Sequence, residues 1–404
     1  MKAHVLYGVN DLRYEEVEKP IPGNDEVLVK VEAVGVCGSD IPRIYETGAH
    51  RHPLIPGHEF AGTVCEVGVD AGKAFAHGNA GGGLNSSLIG KRVGIFPLIP
   101  CGECGPCKNK QYEMCRNYNY LGSRCDGGFA EYVKVPVWNL IELPDNVSFE
   151  DASMLEPTSV AAHAMRRMFD NIGCTVLGSV RNDNVMETPD VIKPSAETSD
   201  IRNDNGDACD KTVVVIGLGT IGLLLTMHLI GDKNSGNNGI SHIYVIGNKE
   251  FQREKACELG IDPDDYCDAS KEDAVEWLLS KTEGKGADYT FECVGKNETI
   301  ARAVTVTAPA GRLMLIGNPA SDIAFDKNTY WKILRNQLTV LGTWNSSFTK
   351  EMNDDWHYVV GKLAAGTIQP SKLISHRLNL EELEKGLHIM RDKTEDYVKV
   401  MVKL

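Results

Sequence analysis

The sequence predicts an α/β protein with two domains, one β-rich and one built on a doubly wound parallel sheet. Two observations carry this. Residues 1 to about 160 are dominated by short β-rich runs broken by Gly, Pro and Asn, and from residue 211 the rhythm becomes strand, helix, strand. A third concerns size: 404 residues would make an unusually large single core. The composition, 42% hydrophobic and 24% charged, is that of an ordinary globular chain and excludes disordered and fibrous classes.

In chain order, AHVLYG, EVLVKVEAVGVCG and AGTVCEVGVD read as strands separated by the breakers PIPGND and IPGHE, giving an antiparallel, barrel-like start. Residues 70–90 are rich in Gly, Asn and Ala and read as a surface loop. Strand-like runs return at KRVGIF and FAEYVKVP, and Pro157 just after Glu156 marks a helix start. Residues 181–210 hold eight acids and three bases and read as a solvated insertion. KTVVVIGLG then reads as a buried strand entering a tight turn, followed by the apolar helix TIGLLLTMHLIG, the strand HIYVIG and the helix EFQREKACELG ended by Gly260. ADYTFECVG, ETIARAVTVTA, GRLMLIGNP and LTVLGTW continue the pattern. Helices at DDWHYVVGKLAAG and LEELEKGLHIMRD and the strand YVKVMVKL close the chain.

A net charge of −14 argues against partnership with nucleic acid or an anionic membrane. No run of about 18 apolar residues and no signal-like start is present, so a cytoplasmic protein is expected. Clustered cysteines in a reducing compartment then point to metal. Cys101, Cys104, Cys107 and Cys115 have the short spacers that let four thiolates close around one Zn²⁺, a site with no open position and hence a structural one. A disulfide cluster or an iron–sulfur centre would use the same residues.

A second donor group is dispersed. Cys37 lies in VCGSD, His58 and Glu59 in PGHEF, and Glu156 in MLEPTS. Such a set could hold one zinc and keep a position open, although each residue alone also reads as a buried thiol, a satisfied histidine or a helix-start carboxylate. The third signal is Gly217-Leu218-Gly219-Thr220-Ile221-Gly222 between a strand and a helix, the context a dinucleotide pyrophosphate requires. The next strand ends Val245-Ile246-Gly247-Asn248-Lys249. Gly247 stands where NAD-binding chains carry an acid, and a small residue followed by Lys249 admits a 2′-phosphate. NADP is therefore open, and Glu250 keeps NAD open.

Together VCGSD, PGHEF, the four-cysteine lobe, the Glu-Pro helix start and GLGTIG resemble the zinc-dependent medium-chain dehydrogenase family over nearly the whole chain. CGSDIPRIYETGAHRHPLIPGHEFAG, LGSRCDGGFAEY and KILRNQLTVLGTW resemble its galactitol-phosphate dehydrogenases more than its sorbitol or threonine dehydrogenases. The resemblance implies a GroES-like catalytic domain (1–160 and 345–404) with a zinc lobe at about 97–118. It places a Rossmann domain (161–344), carrying the polar insertion at about 175–210, between the two parts. It implies two zinc ions per chain, NAD or NADP, and oxidation of a secondary alcohol of a polyol phosphate to the ketone with hydride transfer to the nicotinamide. Cys37, His58 and Glu156 would hold the catalytic zinc with Glu59 as an exchangeable fourth ligand. Ser39 would begin a proton relay, unless it is a turn or capping serine, and Asp40 would orient the metal shell. Arg43, His50 and Arg124 are the candidates for phosphate recognition.

A dehydrogenase of a free polyol or diol of the sorbitol, 2,3-butanediol or threonine type is the first competing reading, and a non-enzymatic member of the fold the second. A homodimer or homotetramer joined through the strand LTVLGTW is expected. The loop at 70–90, the insertion near 175–210 and Gly247 depart from the family pattern.

Overall fold

The computed structural model describes residues 1–71, 88–169 and 210–404. The 70–90 loop, apart from its ends, and the polar insertion, apart from Asp210, lie outside the described residues.

The longest strand of the β-rich part, Glu26–Val36, organises it. Its run of Val, Leu and Ala is almost continuously buried, because antiparallel neighbours Glu59–Val67, Tyr132–Pro136 and Lys399–Lys403 cover it along its length. Two register shifts against Glu59–Val67 bend it, and such bulges give an antiparallel sheet the curvature of a barrel wall. The sheet has seven strands, with one departure from antiparallel order. Ile374–Asn379, which periodicity did not single out, runs parallel to Lys399–Lys403. A parallel pair needs a crossover, which the helix Leu383–Asp392 supplies.

The second sheet has six strands in the order Tyr266–Asp268, Ile240–Gly247, Lys211–Ile216, Ala287–Glu292, Thr307–Leu315, Thr339–Gly342, every pair parallel. The chain winds outward in one direction from Lys211–Ile216 and returns to its other side at Ala287–Glu292. The crevice beyond the carboxyl ends of these two strands is where such a sheet receives a ligand. The short strand Tyr266–Asp268 and the helices Ala274–Lys281 and Lys327–Arg335 complete this unit without a strong sequence signal.

The helix Leu155–Phe169 joins the two parts. His163 Nδ1 lies 2.7 Å from Asp355 Oδ2, and Arg166 donates to the other oxygen at 2.7 Å. Burial opposes the Asp355 charge, yet the His163 hydrogen bond, the Ser347 N–H and Arg166 hold its carboxyl below the usual range. One core cluster then runs through both parts, from Ala33, Ala61 and Phe96 to Val213, Leu223 and Trp356. At its centre the rings of Phe96, Phe348 and Trp356 meet with centroids 4.8–5.9 Å apart, and Trp356 Nε1 donates to Ser346 Oγ at 3.0 Å. Trp356→Ala should therefore cost about 3–5 kcal/mol in urea unfolding. A loss below about 1 kcal/mol would show that the joint does not depend on this cluster.

Candidate active site and metal centres

The four-cysteine lobe is built on a turn through Gly102, whose φ of +75° suits glycine, and on the short helix Gly105–Lys108. Cys104 and Cys107 sulfurs lie 3.4 Å apart, and the Cys101–Cys107 and Cys104–Cys115 pairs 3.9 Å apart. Four sulfurs at the ~2.3 Å Zn–S bond length of a tetrahedron stand roughly 3.8 Å apart, whereas a disulfide needs about 2.05 Å. The spacing fits one ion, and all four thiols are free. Backbone N–H groups of Arg116 and Cys107 lower Cys104 to about 6, while burial and the neighbouring thiols push Cys107 up to about 12. The protein thus favours thiolate charge unevenly across the four sulfurs.

The second group converges as well. Donor atoms of Cys37, His58 and Glu59 lie within 4.8 Å of one another. Cys37 directly follows the strand Glu26–Val36, and His58 directly precedes its antiparallel partner, which Glu59 opens opposite Gly35. A Cβ at Gly35 would stand 2.3 Å from Glu59 Oε2, so glycine is what lets the carboxylate lie there. Glu156 is outside this set. It sits in the first turn of Leu155–Phe169, where the helix end favours an anion, and accepts a hydrogen bond from Tyr120 Oη at 3.2 Å. Of the two acids, Glu59 is thus the one grouped with Cys37 and His58, and Glu156 stands beside them.

Asp40 is fully buried. Its carboxylate accepts from Cys37 N at 3.0 Å and from the Arg43 guanidinium, and lies 3.6 Å from His58 Nδ1. Ser39 begins the helix Asp40–Tyr45, but its hydroxyl makes no cap; it donates to Cys37 Sγ at 3.3 Å and is exposed. Buried His58 Nδ1 has no hydrogen-bond partner. Burial works against a charged His58 ring, yet Cys37, Asp40 and Glu156 raise it to about 10. The anions around His58 favour positive charge in the pocket, a preference that a divalent ion would satisfy.

Two residues of the pocket carried no motif. Tyr120 meets His58 edge-on with centroids 5.8 Å apart. Lys399 forms a buried ion pair with Glu59, both side chains 2% exposed. Burial opposes the Lys399 charge, but Glu59, Cys37 and Glu156 raise it above the ordinary lysine range. The available signal was a lysine inside the apolar strand YVKVMVKL. Desolvation, with the charges of Arg124 and Arg43 adding to it, lowers His50 from its ordinary value, so the three phosphate candidates are linked electrostatically. Arg124 stacks 4.6 Å over the Tyr118 ring.

At the glycine turn, Gly217 has φ +94° and no room for a Cβ, which would stand 2.3 Å from Val294. Gly222 packs against Gly217 O. Gly219 faces open space at the start of Thr220–Asn234, a helix of 15 residues with no side-chain cap, so its first N–H groups are available to an anion. Thr220 does not face outward alone: its hydroxyl donates to Val398 O at 2.6 Å. Ile221 is half-buried beside it. The space next to Gly247 is filled, since a Cβ there would meet Tyr266 Oη at 2.6 Å and Gln252 Oε1 at 2.7 Å. Asn248 N donates to Gln252, and Tyr266 to Lys249 O. Smallness at Gly247 therefore accommodates Tyr266 and Gln252.

In chelator-treated protein, Lys399→Met should cost about 3–5 kcal/mol in denaturant unfolding, because it strands the buried Glu59 carboxylate. Adding Glu59→Gln should recover most of the loss. Additive effects would show that the two side chains do not act as a pair.

Among the described residues no helix is long and apolar enough to cross a membrane. A family model described as Alcohol dehydrogenase GroES-like domain matches residues 23–145, and one described as Zinc-binding dehydrogenase matches 237–364. Galactitol 1-phosphate 5-dehydrogenase of Escherichia coli (strain K12) is 28% identical over 373 residues, which cover 92% of this chain and 91% of that one. L-threonine 3-dehydrogenase of Caldanaerobacter subterraneus subsp. tengcongensis is 29% identical over 383 residues, covering 93% and 91%. A crystal structure of a zinc-binding dehydrogenase from Sinorhizobium meliloti 1021 bound to NADP superposes with a TM-score of 0.77 at 25% identity, covering 100% of this chain and 99% of that one. With both parts of the fold matched and the donor groups in place, the chain belongs to the zinc-dependent medium-chain alcohol dehydrogenase family.

Proposed function

We propose that this enzyme oxidises a secondary alcohol of a polyol phosphate to the ketone, with hydride transfer to NAD or NADP. The carrying observation is the convergence of Cys37, His58 and Glu59, with Glu156 beside them, in a pocket that draws a cation. A Zn²⁺ ion there supplies Lewis acidity that makes an alcohol easier to deprotonate. Cys37, His58 and one of the two acids would hold it, with Lys399 keeping Glu59 in place and Asp40 fixing Cys37 and His58. Ser39, exposed and touching Cys37, passes the alcohol proton toward solvent. Cys101, Cys104, Cys107 and Cys115 hold a second, structural zinc. Residues 1–160 and 345–404 form the catalytic part, and 161–344 the nucleotide-binding part, with Gly217 to Gly222 holding the pyrophosphate and Gly247 to Lys249 facing the adenosine ribose.

The phosphate is assigned to Arg124 and His50. Arg43 lies beside them, but Asp40 already engages its guanidinium, so its main part is to hold Asp40. The relatives named above act on galactitol 1-phosphate and on threonine at nearly the same identity, so the two arginines acting on His50, rather than similarity, favour the phosphate ester. The outer strand Thr339–Gly342, with Val340 and Trp344 exposed, is the edge we assign to a second copy in a homodimer or homotetramer.

Steady-state turnover of galactitol 1-phosphate, galactitol, sorbitol, 2,3-butanediol and threonine with each dinucleotide tests the assignment. The phosphate ester should lead, and Arg124→Gln should lower its kcat/KM about 10- to 100-fold, mostly through KM, as expected for loss of a charge-assisted hydrogen bond. Turnover of a free polyol without turnover of the ester would overturn the substrate. Metal analysis should find two zinc ions per chain, one in Cys37→Ser and one in Cys104→Ser, with thermal stability falling only in the latter. Equal destabilisation by both would contradict the division into catalytic and structural sites.

A further inference from the structure

The side chain of Lys249, at the end of the second strand of the parallel sheet, is engaged from the far end of the chain. Its ammonium pairs with Asp396 Oδ1 at 2.8 Å across 147 residues of sequence, the two side chains 47% and 54% exposed. Lys249 is otherwise fixed. Its carbonyl accepts from Tyr266 Oη at 2.8 Å, and the preceding amide donates to Gln252 at 3.0 Å, so the free variable here is where the ammonium points. The adjacent acid does not compete for it: Glu250 pairs with Arg253 at 2.9 Å and with Lys271 at 3.6 Å.

Asp396 also belongs to a short segment with two further ties. Val398 O accepts the Thr220 hydroxyl at the glycine turn, and Lys399 pairs with Glu59 at the metal group. The backbone that carries Asp396 is thus anchored, and its carboxylate is held at the mouth of the adenosine-ribose region. A ribose 2′-phosphate carries close to two negative charges at neutral pH. To use Lys249 it must take the ammonium from Asp396 and lie beside a carboxylate, whereas a free 2′-hydroxyl meets neither cost.

We propose that Asp396 is a specificity-determining residue for the cofactor: by holding Lys249, it disfavours a dinucleotide with a 2′-phosphate relative to one with a free 2′-hydroxyl. The inference rests on the reading of Gly217–Gly222 and Gly247–Lys249 as the dinucleotide site.

The test is equilibrium binding of NADPH and NADH to the full-length, zinc-loaded protein, followed by nicotinamide fluorescence. Asp396→Asn should tighten NADPH about threefold to tenfold, the modest range of a half-exposed pair, and leave NADH within about twofold. The gain should shrink at about 0.5 M salt, where exposed charges are screened. In a Lys249→Gln background, Asp396→Asn should lose most of its effect on NADPH. An unchanged NADPH-to-NADH ratio, or an equal shift for both dinucleotides, overturns the role of Asp396 while leaving the site reading intact. Failure of the unmodified protein to bind either dinucleotide would instead remove the site reading, and the inference with it.

Discussion

Charge balance in one buried pocket governs the arrangement of the active part of this protein. Cys37, Asp40, Glu59 and Glu156 bring four groups that can carry negative charge, and Lys399 and Arg43 answer with two positive ones. The remainder matches one divalent ion. The surrounding anions raise His58 to about 10 against the cost of burial. The pocket is not stabilised as an isolated patch of packing. Lys399 from the last strand and Arg43 from a short helix supply cations to it, and a divalent metal would supply the rest.

That dependence explains the place of the C-terminal strand. Lys399–Lys403 pairs with Glu26–Val36, the strand that delivers Cys37, so the lysine and the ligands share one sheet. The residues just before it reach the other part of the molecule, where Val398 O accepts from Thr220 beside Gly219. The helix Leu155–Phe169 makes a second bridge. Its first turn presents Glu156 to the pocket, while His163 and Arg166 fasten it to buried Asp355. Metal group and glycine turn are therefore tied together by the Thr220–Val398 hydrogen bond, the Lys399–Glu59 pair and a shared apolar core, the fixed relation that the proposed hydride transfer would require.

The four-cysteine lobe stands apart from this economy of charge. Its sulfurs are already at the spacing of one tetrahedral ion. It presents a closed set of like donors, whereas the Cys37 group mixes sulfur, nitrogen and oxygen and is bordered by Ser39 and Tyr120.

Features governed by neighbours in sequence were legible in the chain itself. Short spacers between Cys101, Cys104, Cys107 and Cys115 bring their sulfurs together whatever surrounds them, and the Gly217–Gly222 turn needs only a strand before it and a helix after it. Periodicity likewise marked most strands and helices, because side-chain period follows from backbone geometry. Features that arise where distant segments meet were settled by the fold. Grouping Glu59 rather than Glu156 with Cys37 and His58, filling the space at Gly247 with Tyr266 and Gln252, and bringing Lys399 to Glu59 and Asp396 to Lys249 all depend on sheet register and on the joining of the two parts. Ion pairs and ligand sets act over a few ångströms of space, and only the tertiary structure decides which residues share that space.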